Sequence, residues 1–295
     1  MKSLNRYQQD YNENGFIYPV KIISIEEAKK HREILENTEK VLGNMHYQSK
    51  IHTILKSAYE LATHQNILDI VEKVIGPNIL LHNTTYIIKE PQTPAFVSWH
   101  QDLTYWGFSH DDQVSVWLAL SDADETSGAM YMIPGSHLEG KKEHIKIEDK
   151  NNVLFQNQRV QKFDESKKTL CSLKAGEASF HHGWTIHSSM PNKSYDRRIG
   201  FNIQYVATHV KQMKNDTDTA ICVRGIDKYN NFGIDIPAVS DELNPTNVAK
   251  QKELQEKYKS IASSSGLRIK ELYKLNSEDF NKKEELGVGK RLKKI

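Results

Sequence analysis

The chain has 295 residues, enough for one large domain or two small ones, and its 38% hydrophobic and 26% charged residues are typical of a globular protein with a buried core. A formal net charge of +2 gives no overall field that would favour nucleic acid as a partner. The two cysteines exclude a disulfide scaffold, and no apolar run reaches the roughly 18 residues that a membrane-spanning helix needs. The first residues lack the apolar core of a secretory signal, so we expect a cytoplasmic protein without a membrane or nucleic-acid partner.

The N-terminal part of the chain, residues 1–77, has the pattern of helices. Ser24 and Glu27 are spaced as a capping box, and the apolar residues that follow recur with the helical period as far as Gly43. The same period continues through residues 51–75. We therefore predict several amphipathic helices ahead of the main fold.

The middle of the chain consists of short segments rich in β-branched and aromatic residues, separated by turn residues. The predicted strands are Ile79–Lys89, Phe96–Asp102, Val114–Ser121, Ala129–Ile133, Glu177–His182 and Ile199–Ala207. No helix of convincing length separates them, which favours an antiparallel arrangement over a parallel sheet. We predict a mainly β fold with flanking helices and a jelly-roll, cupin-like core over residues 78–245. Residues 136–170 are polar and irregular, and their length is typical of a functional lid.

The last fifty residues differ from the rest in charge. Residues 246–295 contain 13 Lys or Arg and 7 Asp or Glu, so this segment is basic. Its first part, residues 248–261, has a helical pattern. A nucleic-acid-binding arm is one interpretation, but a solvated helix and tail is the commoner meaning of such a charge run. We therefore predict a single domain over residues 1–245, followed by a basic helix and tail.

Two residues of the second predicted strand have the chemistry of metal ligands. His100 and Asp102 are two positions apart, and alternate residues of a strand project from the same face. One imidazole and one carboxylate supply two ligands of the facial triad that binds non-haem Fe(II) with three positions open. The pattern is short and recurs by chance, so a pair of surface residues is the competing interpretation.

A third ligand is available farther along the chain. His187 ends a strand-like segment, and the basic pair Arg197 and Arg198 follows ten and eleven residues later. In an antiparallel hairpin these positions return to one neighbourhood, so a metal ligand and a guanidinium would flank one pocket. An arginine fork suits a carboxylate held by two hydrogen bonds. Because adjacent strand residues face opposite ways, only one of the two arginines can reach the pocket, and a register slip of one residue would exchange them.

Over residues 83–207 the sequence resembles the phytanoyl-CoA dioxygenase family of Fe(II)/2-oxoglutarate oxygenases. The segments that carry the resemblance are Trp99–Asp102, Trp117, Gly128–His137, His187–Asn192 and Arg198, in that order. The resemblance implies a double-stranded β-helix core that forms a catalytic domain. It implies His100, Asp102 and His187 as the iron ligands, and Arg198 as the anchor of the distal carboxylate of 2-oxoglutarate. Further co-substrate contacts implied by the family are Ser189, Gln101 and Trp117.

The same resemblance implies an oxygenase that uses Fe(II), 2-oxoglutarate and O2 to hydroxylate an aliphatic C–H bond, with succinate and CO2 as co-products. Asp102 favours hydroxylation, because related halogenases have a small residue in place of the carboxylate. The aromatic residues Tyr105 and Trp106, with Lys89 and His181 as anion partners, would suit a small zwitterion such as an amino acid or aminophosphonate. No macromolecular partner is expected, and the protein would be a monomer or homodimer.

Three alternatives remain open from the sequence. A tailoring enzyme of secondary metabolism, acting on an alkaloid or polyketide intermediate, is nearly as compatible as the amino-acid hypothesis. A zinc hydrolase or isomerase would use the same three ligands but has no need of a keto-acid anchor. A non-redox jelly-roll binding protein would be expected to have lost a ligand, and none is missing.

Overall fold

The computed structural model describes residues 4–154 and 157–263. The helices are α1 (Leu4–Asn14), α2 (Ile25–Leu42), α3 (Lys56–Ala62), α4 (Gln65–Ile75), α5 (Leu103–Trp106) and α6 (Pro245–Ser263). The strands are β1 (Phe16–Lys21), β2 (Ile79–Lys89), β3 (Val97–His100), β4 (Gln113–Ala119), β5 (Met130–Met132), β6 (His144–Lys146), β7 (Gln158–Val160), β8 (Thr169–Cys171), β9 (Glu177–His181), β10 (His187–Ser189), β11 (Arg198–Ala207), β12 (Thr219–Arg224) and β13 (Gly233–Ile234).

The N-terminal helices form as the sequence predicts. Ser24 caps α2: its hydroxyl accepts from the N–H of Glu27, whose carboxylate accepts from the N–H of Ser24. The helix ends at Gly43, whose φ of 80° is a conformation that glycine adopts without strain. The apolar residues of α4, including Ile67 and Val71, join one core with β2, β4 and β11. The helices therefore cover one face of the main sheet.

The strands form two facing antiparallel sheets and a small hairpin. The larger sheet has seven strands in the order β1-β9-β4-β11-β2-β12-β13, and the smaller has four in the order β3-β10-β5-β8. All pairs are antiparallel except β12 with β13. The predicted fold class, mainly β with flanking helices and a jelly-roll core, is confirmed.

Strand β11 shows how the larger sheet separates the core from a cavity. Its residues Ile199, Phe201 and Ile203 pack into the core shared with the helices. The alternate residues, beginning at Arg198 and including Asn202, line a cavity on the opposite face. Period-two alternation thus places apolar side chains against the helices and polar side chains towards the smaller sheet.

Two segments differ from the sequence-based expectations. Helix α6 is not simply solvated, because Leu254 and Ile261 are buried at 6% and 3% exposure. The predicted tail beyond it lies outside the described residues. The segment 136–170 contains the hairpin β6–β7, and Leu154 from its loop lines the cavity. Within the described ranges, no helix has the length and apolar character required to span a membrane.

Candidate active site

Three side chains from two neighbouring strands and a turn meet at one end of the cavity. His100 is the last residue of β3 and His187 the first of β10, and their Cα atoms are partners across the antiparallel pair. Asp102 does not lie on the strand, because β3 ends at His100 and Asp102 occupies the N-cap position of α5 with helical angles. The expectation of one shared strand face was therefore wrong, although the turn still directs the carboxylate towards the two imidazoles.

The geometry of these three groups fits a metal ion. Oδ1 of Asp102 lies 3.4 Å from Nε2 of His100 and 3.7 Å from Nε2 of His187, and the potential ligand atoms are all within 4.8 Å of one another. Nδ1 of His100 lies 2.8 Å from the carbonyl of Ser98, and Nδ1 of His187 lies 2.9 Å from that of Thr185. A carbonyl can only accept, so Nδ1 carries the hydrogen and the Nε2 lone pairs converge.

The second oxygen of Asp102 is held by the protein. Oδ2 accepts a hydrogen bond from the hydroxyl of Ser115 at 3.0 Å and lies 3.4 Å from Nε2 of His181. Ser115 on β4 and His181 on β9 are themselves paired across the larger sheet. Two strands of the larger sheet thus orient the carboxylate, and Oδ1 is the oxygen left to face the two imidazoles.

Electrostatics favour the ionisation states that a metal requires for Asp102 and His187. Burial would raise the pKa of Asp102, but the neighbouring His187, His100 and His181 outweigh it and hold this pKa well below its ordinary value. Burial, reinforced by His100, lowers the pKa of His187 well below its ordinary value. A carboxylate and neutral imidazoles form the donor set typical of non-haem Fe(II).

Arg198 lies in the same cavity, at the first position of β11. It is 1% exposed, and its guanidinium carbon lies 5.0 Å from the ring centre of Trp117. One nitrogen donates to the carbonyl of Gly128 at 3.1 Å, whereas Nε has no partner among the described residues. Burial lowers the pKa of Arg198 to about 10, so it remains a cation at pH 7. A buried cation with an unused donor is a suitable receptor for a carboxylate.

A glycine makes the contact between Trp117 and Arg198 possible. Gly200 lies two residues after Arg198 on the same face of β11, and a Cβ atom there would overlap the indole of Trp117. The indole occupies this space and forms one wall of the cavity. The side chain expected from the family to contact co-substrate is therefore placed against the guanidinium.

Gln101 has a different environment from the one expected. It is fully buried and is not among the residues that line the cavity. Its amide nitrogen donates to the carbonyls of Gly140 and Trp184, both at 2.8 Å, and its amide oxygen accepts from the N–H of Lys142. This side chain ties the 140–142 loop to the turn between β9 and β10, so the geometry gives no support for a co-substrate contact.

Lys89 is also not among the residues that line the cavity. Its ammonium nitrogen lies 2.8 Å from Oγ of Ser189 and donates to the carbonyl of Met190. Ser189 itself lines the cavity, as do Tyr105, Trp106 and His181. The structure thus brings three of the four predicted substrate-pocket residues to the cavity and places Lys89 behind Ser189.

Arg197 is separated from this site, as expected from strand alternation. Its guanidinium binds Glu39 of α2 and Glu90, each at 2.8 Å, on the outer face of the larger sheet. The side chain is 19% exposed, so it is partly buried in this ion-pair cluster rather than free in solvent. Only Arg198 of the basic pair lines the cavity.

The cavity has a volume of about 260 Å³ and extends from the metal ligands to α6. Among the described residues that line it, Asp102 is the only acidic one. Sequence reasoning missed most of the others, among them Asn202, Gln204 and Tyr258. The first two alternate with Arg198 along β11 and could have been found from that spacing. Tyr258 comes from α6, and no local pattern in the sequence connects it to the site, although its hydroxyl donates to Gln204 at 3.1 Å.

Two histidines and one carboxylate on a jelly-roll scaffold, with room beside them for further ligands, define a class of non-haem iron proteins. Comparison with known families agrees with this class. The chain belongs to the phytanoyl-CoA dioxygenase (PhyH) family, whose model matches residues 12–200. The family resemblance inferred from the sequence is confirmed.

Individual relatives are distant. A protein of Stutzerimonas stutzeri named "Probable alpha-ketoglutarate-dependent hypophosphite dioxygenase" is 30% identical over 158 residues, 53% of this chain and 55% of its own. The human "Phytanoyl-CoA dioxygenase, peroxisomal" is 30% identical over 159 residues, 52% of this chain and 46% of its own. The chain thus spans about half the length of these curated relatives.

Solved structures agree with the fold over most of the chain. The "non-heme monooxygenase; ThoJ apo" superposes with a TM-score of 0.77 at 24% identity, covering 88% of this chain and 98% of that one. "CytC3 with Fe(II) and alpha-ketoglutarate" gives a TM-score of 0.61 at 20% identity, covering 80% and 97%. At such low identity these structures establish the fold alone.

Proposed function

We propose that this protein is an Fe(II)- and 2-oxoglutarate-dependent dioxygenase that hydroxylates an aliphatic C–H bond of a small metabolite. The observation that carries the proposal is the convergence of His100, Asp102 and His187 in a cavity that also holds the buried cation Arg198. A metal site alone would serve many reactions. A metal site beside a buried guanidinium that has no carboxylate partner among the described residues suits a keto acid with a second carboxylate.

The residues of the chain would divide the work as follows. His100, Asp102 and His187 hold the metal, and Arg198 binds the distal carboxylate of the keto acid. Bound Fe(II) would supply activation of O2: 2-oxoglutarate provides two electrons and is converted to succinate and CO2, and one oxygen atom enters succinate while the other enters the hydroxyl group formed at the C–H bond. Ser115 keeps Oδ2 of the aspartate occupied, which leaves the remaining metal positions for co-substrate and oxygen.

Hydroxylation is the favoured outcome because the carboxylate ligand is present. Where a small residue replaces the aspartate, a coordination position is open to chloride. In this chain Asp102 faces both histidines, so no such position is provided by the protein.

The substrate would be small, because a cavity of about 260 Å³ lies at the lower end for ligand sites and has to hold the keto acid as well. Aromatic surfaces from Tyr105, Trp106 and Tyr258 would accept an ammonium group or an alkyl chain. We therefore keep the amino-acid- or aminophosphonate-like substrate as our proposal. A secondary metabolite is the second candidate, supported by the mostly apolar wall that Val153, Leu154 and these aromatics form.

The experiment is anaerobic addition of Fe(II) and then 2-oxoglutarate to the purified protein. We expect a weak visible charge-transfer band, which Zn(II) in place of Fe(II) should not give. His187→Ala, which removes a metal ligand, is the matched control and should lack the band. If the wild type gives no band, the keto-acid site is wrong, and a zinc hydrolase or a binding protein becomes the better explanation. Succinate formation across a panel of amino acids, aminophosphonates and secondary metabolites then identifies the substrate.

A further inference from the structure

Two buried basic side chains lie side by side next to the cavity. Arg198 on β11 and Lys89 on β2 are directly paired across the antiparallel strands, and they are 1% and 2% exposed. Within the part of the chain that the structure describes, no carboxylate forms an ion pair with either of them. A buried guanidinium without a counter-ion is costly, and a second basic group beside it adds to that cost when it is protonated, so this arrangement calls for an anion in the adjoining cavity.

Only one of these two side chains can contact that anion directly. Arg198 lines the cavity, whereas Lys89 does not. Between Lys89 and the cavity stands Ser189, whose hydroxyl lies 2.8 Å from the lysine nitrogen and which does line the cavity. Met190 supplies a carbonyl to the same nitrogen. The lysine is therefore anchored to β10 and to the residue that follows it.

The donor and acceptor roles in the hydrogen bond between Lys89 and Ser189 determine where the Ser189 hydroxyl proton points. An ammonium group has three donors and no acceptor, so the oxygen of Ser189 must accept from it. The hydroxyl proton of Ser189 must then point elsewhere, and no described residue accepts it. The remaining direction is the cavity, where Nε of Arg198 is also without a partner.

The protonation state of Lys89 depends on whether an anion is bound in the cavity. Burial, reinforced by Arg198, lowers the pKa of Lys89 to about 5 when only protein groups surround it. His46 also interacts electrostatically with Lys89; burial lowers the pKa of His46 to about 4, so this imidazole is neutral at pH 7. A carboxylate bound beside Arg198 offsets the repulsion between the cations and restores the ammonium form. The hydroxyl of Ser189 is then fixed as a donor when the anion is present.

We infer that Lys89 is a positioning residue that orients the Ser189 hydroxyl as a second donor, beside Arg198, to the distal carboxylate of 2-oxoglutarate. The inference rests on the proposed function and extends it to a residue that does not touch the co-substrate. It also replaces the expectation that Lys89 binds an anionic group of the substrate.

The test compares two keto acids that differ only at the distal end. Binding of 2-oxoglutarate and of 2-oxobutanoate, which lacks the distal carboxylate, is measured by calorimetry on the Mn(II)-loaded protein under conditions without turnover. For Lys89→Met and for Ser189→Ala we expect the Kd of 2-oxoglutarate to rise on the order of tenfold, the loss of one charge-assisted hydrogen bond. The Kd of 2-oxobutanoate should stay within about twofold. The double variant should bind 2-oxoglutarate no more weakly than either single variant, because the two residues act in series.

Three outcomes would overturn the inference. Equal losses for both keto acids would show a general structural role for Lys89. Additive losses in the double variant would show that Lys89 acts without Ser189. An unchanged Kd of 2-oxoglutarate in Ser189→Ala would show that the Ser189 hydroxyl is not a second donor to the carboxylate. This test does not require Lys89→Met to fold. The control Lys193→Met removes an exposed lysine near the same strand and should change neither Kd. If the wild type binds neither keto acid, the proposed function itself fails.

Discussion

Arg197 and Arg198 are adjacent in the sequence but lie on opposite faces of the larger sheet. The same charge can therefore be removed either from the outer face or from the cavity. In Arg198→Ala the cavity loses a cation that is 1% exposed and has an unpartnered Nε. A hydrogen bond between charged groups contributes about 1.5–3 kcal/mol, and about 1.4 kcal/mol changes affinity tenfold. The Kd of 2-oxoglutarate should therefore rise by roughly 10- to 100-fold. Arg198→Lys should recover only part of this, because an ammonium cannot form the planar fork.

Arg197→Ala should behave differently. Its guanidinium bonds Glu39 and Glu90 on the outer face, so the variant loses ion pairs that are partly exposed to solvent. Pairs of this kind contribute about 0–1 kcal/mol each. We expect a small decrease in the free energy of unfolding and a Kd of 2-oxoglutarate within about twofold of the wild type.

Calorimetry on the Mn(II)-loaded proteins measures both Kd values, and thermal melts measure the stability change. A large increase in Kd for Arg197→Ala with none for Arg198→Ala would refute the reasoning, because it would mean that the register of β11 is displaced by one residue. Comparable increases in both would point to long-range charge rather than to a specific fork.

Three further results are expected. His100→Ala and His187→Ala should each abolish Fe(II) binding in equilibrium dialysis while the circular dichroism spectrum is retained; wild-type binding in either would show that the ligand set is wrong. Ser115→Ala should weaken Fe(II) binding about 10- to 100-fold, because it frees Oδ2 of Asp102 to rotate, and unchanged binding would mean that this hydrogen bond does not orient the ligand. Binding of 2-oxoglutarate should take up protons near pH 7, and affinity should fall as the pH rises above about 5, the pKa of Lys89 without a bound anion. Calorimetry in buffers of different ionisation enthalpy checks this, and no proton uptake would contradict it.

The sequence predicted the identity of the metal-site residues better than their local structure. His100 and Asp102 were placed on one strand by a period-two argument, yet β3 ends at His100 and the aspartate begins α5. A tight turn can direct a side chain to the same point as a strand, and the spacing of two residues does not distinguish them. What located the site was the order of several motifs along the chain.

Long-range contacts account for what the sequence could not reveal. Gln101 lies between two predicted ligands, but its partners are backbone groups of residues 140–142 and 184, which no local pattern connects to it. Tyr258 belongs to a helix whose charged residues suggested a solvated surface, and its place in the cavity depends on the packing of α6. Tertiary contacts of this kind leave no periodic signal.

The lining of the cavity comes from two stretches of the chain. Arg198 and the metal ligands lie inside residues 12–200, which the family model matches, whereas Asn202, Gln204 and Tyr258 come after that segment. Shared ancestry over the matched segment is therefore informative about the metal and the keto acid, and says little about the part of the lining that comes after residue 200. An evolving lineage can vary the C-terminal helix and retain its chemistry. Exchange of this helix between family members is accordingly a direct route to altered selectivity.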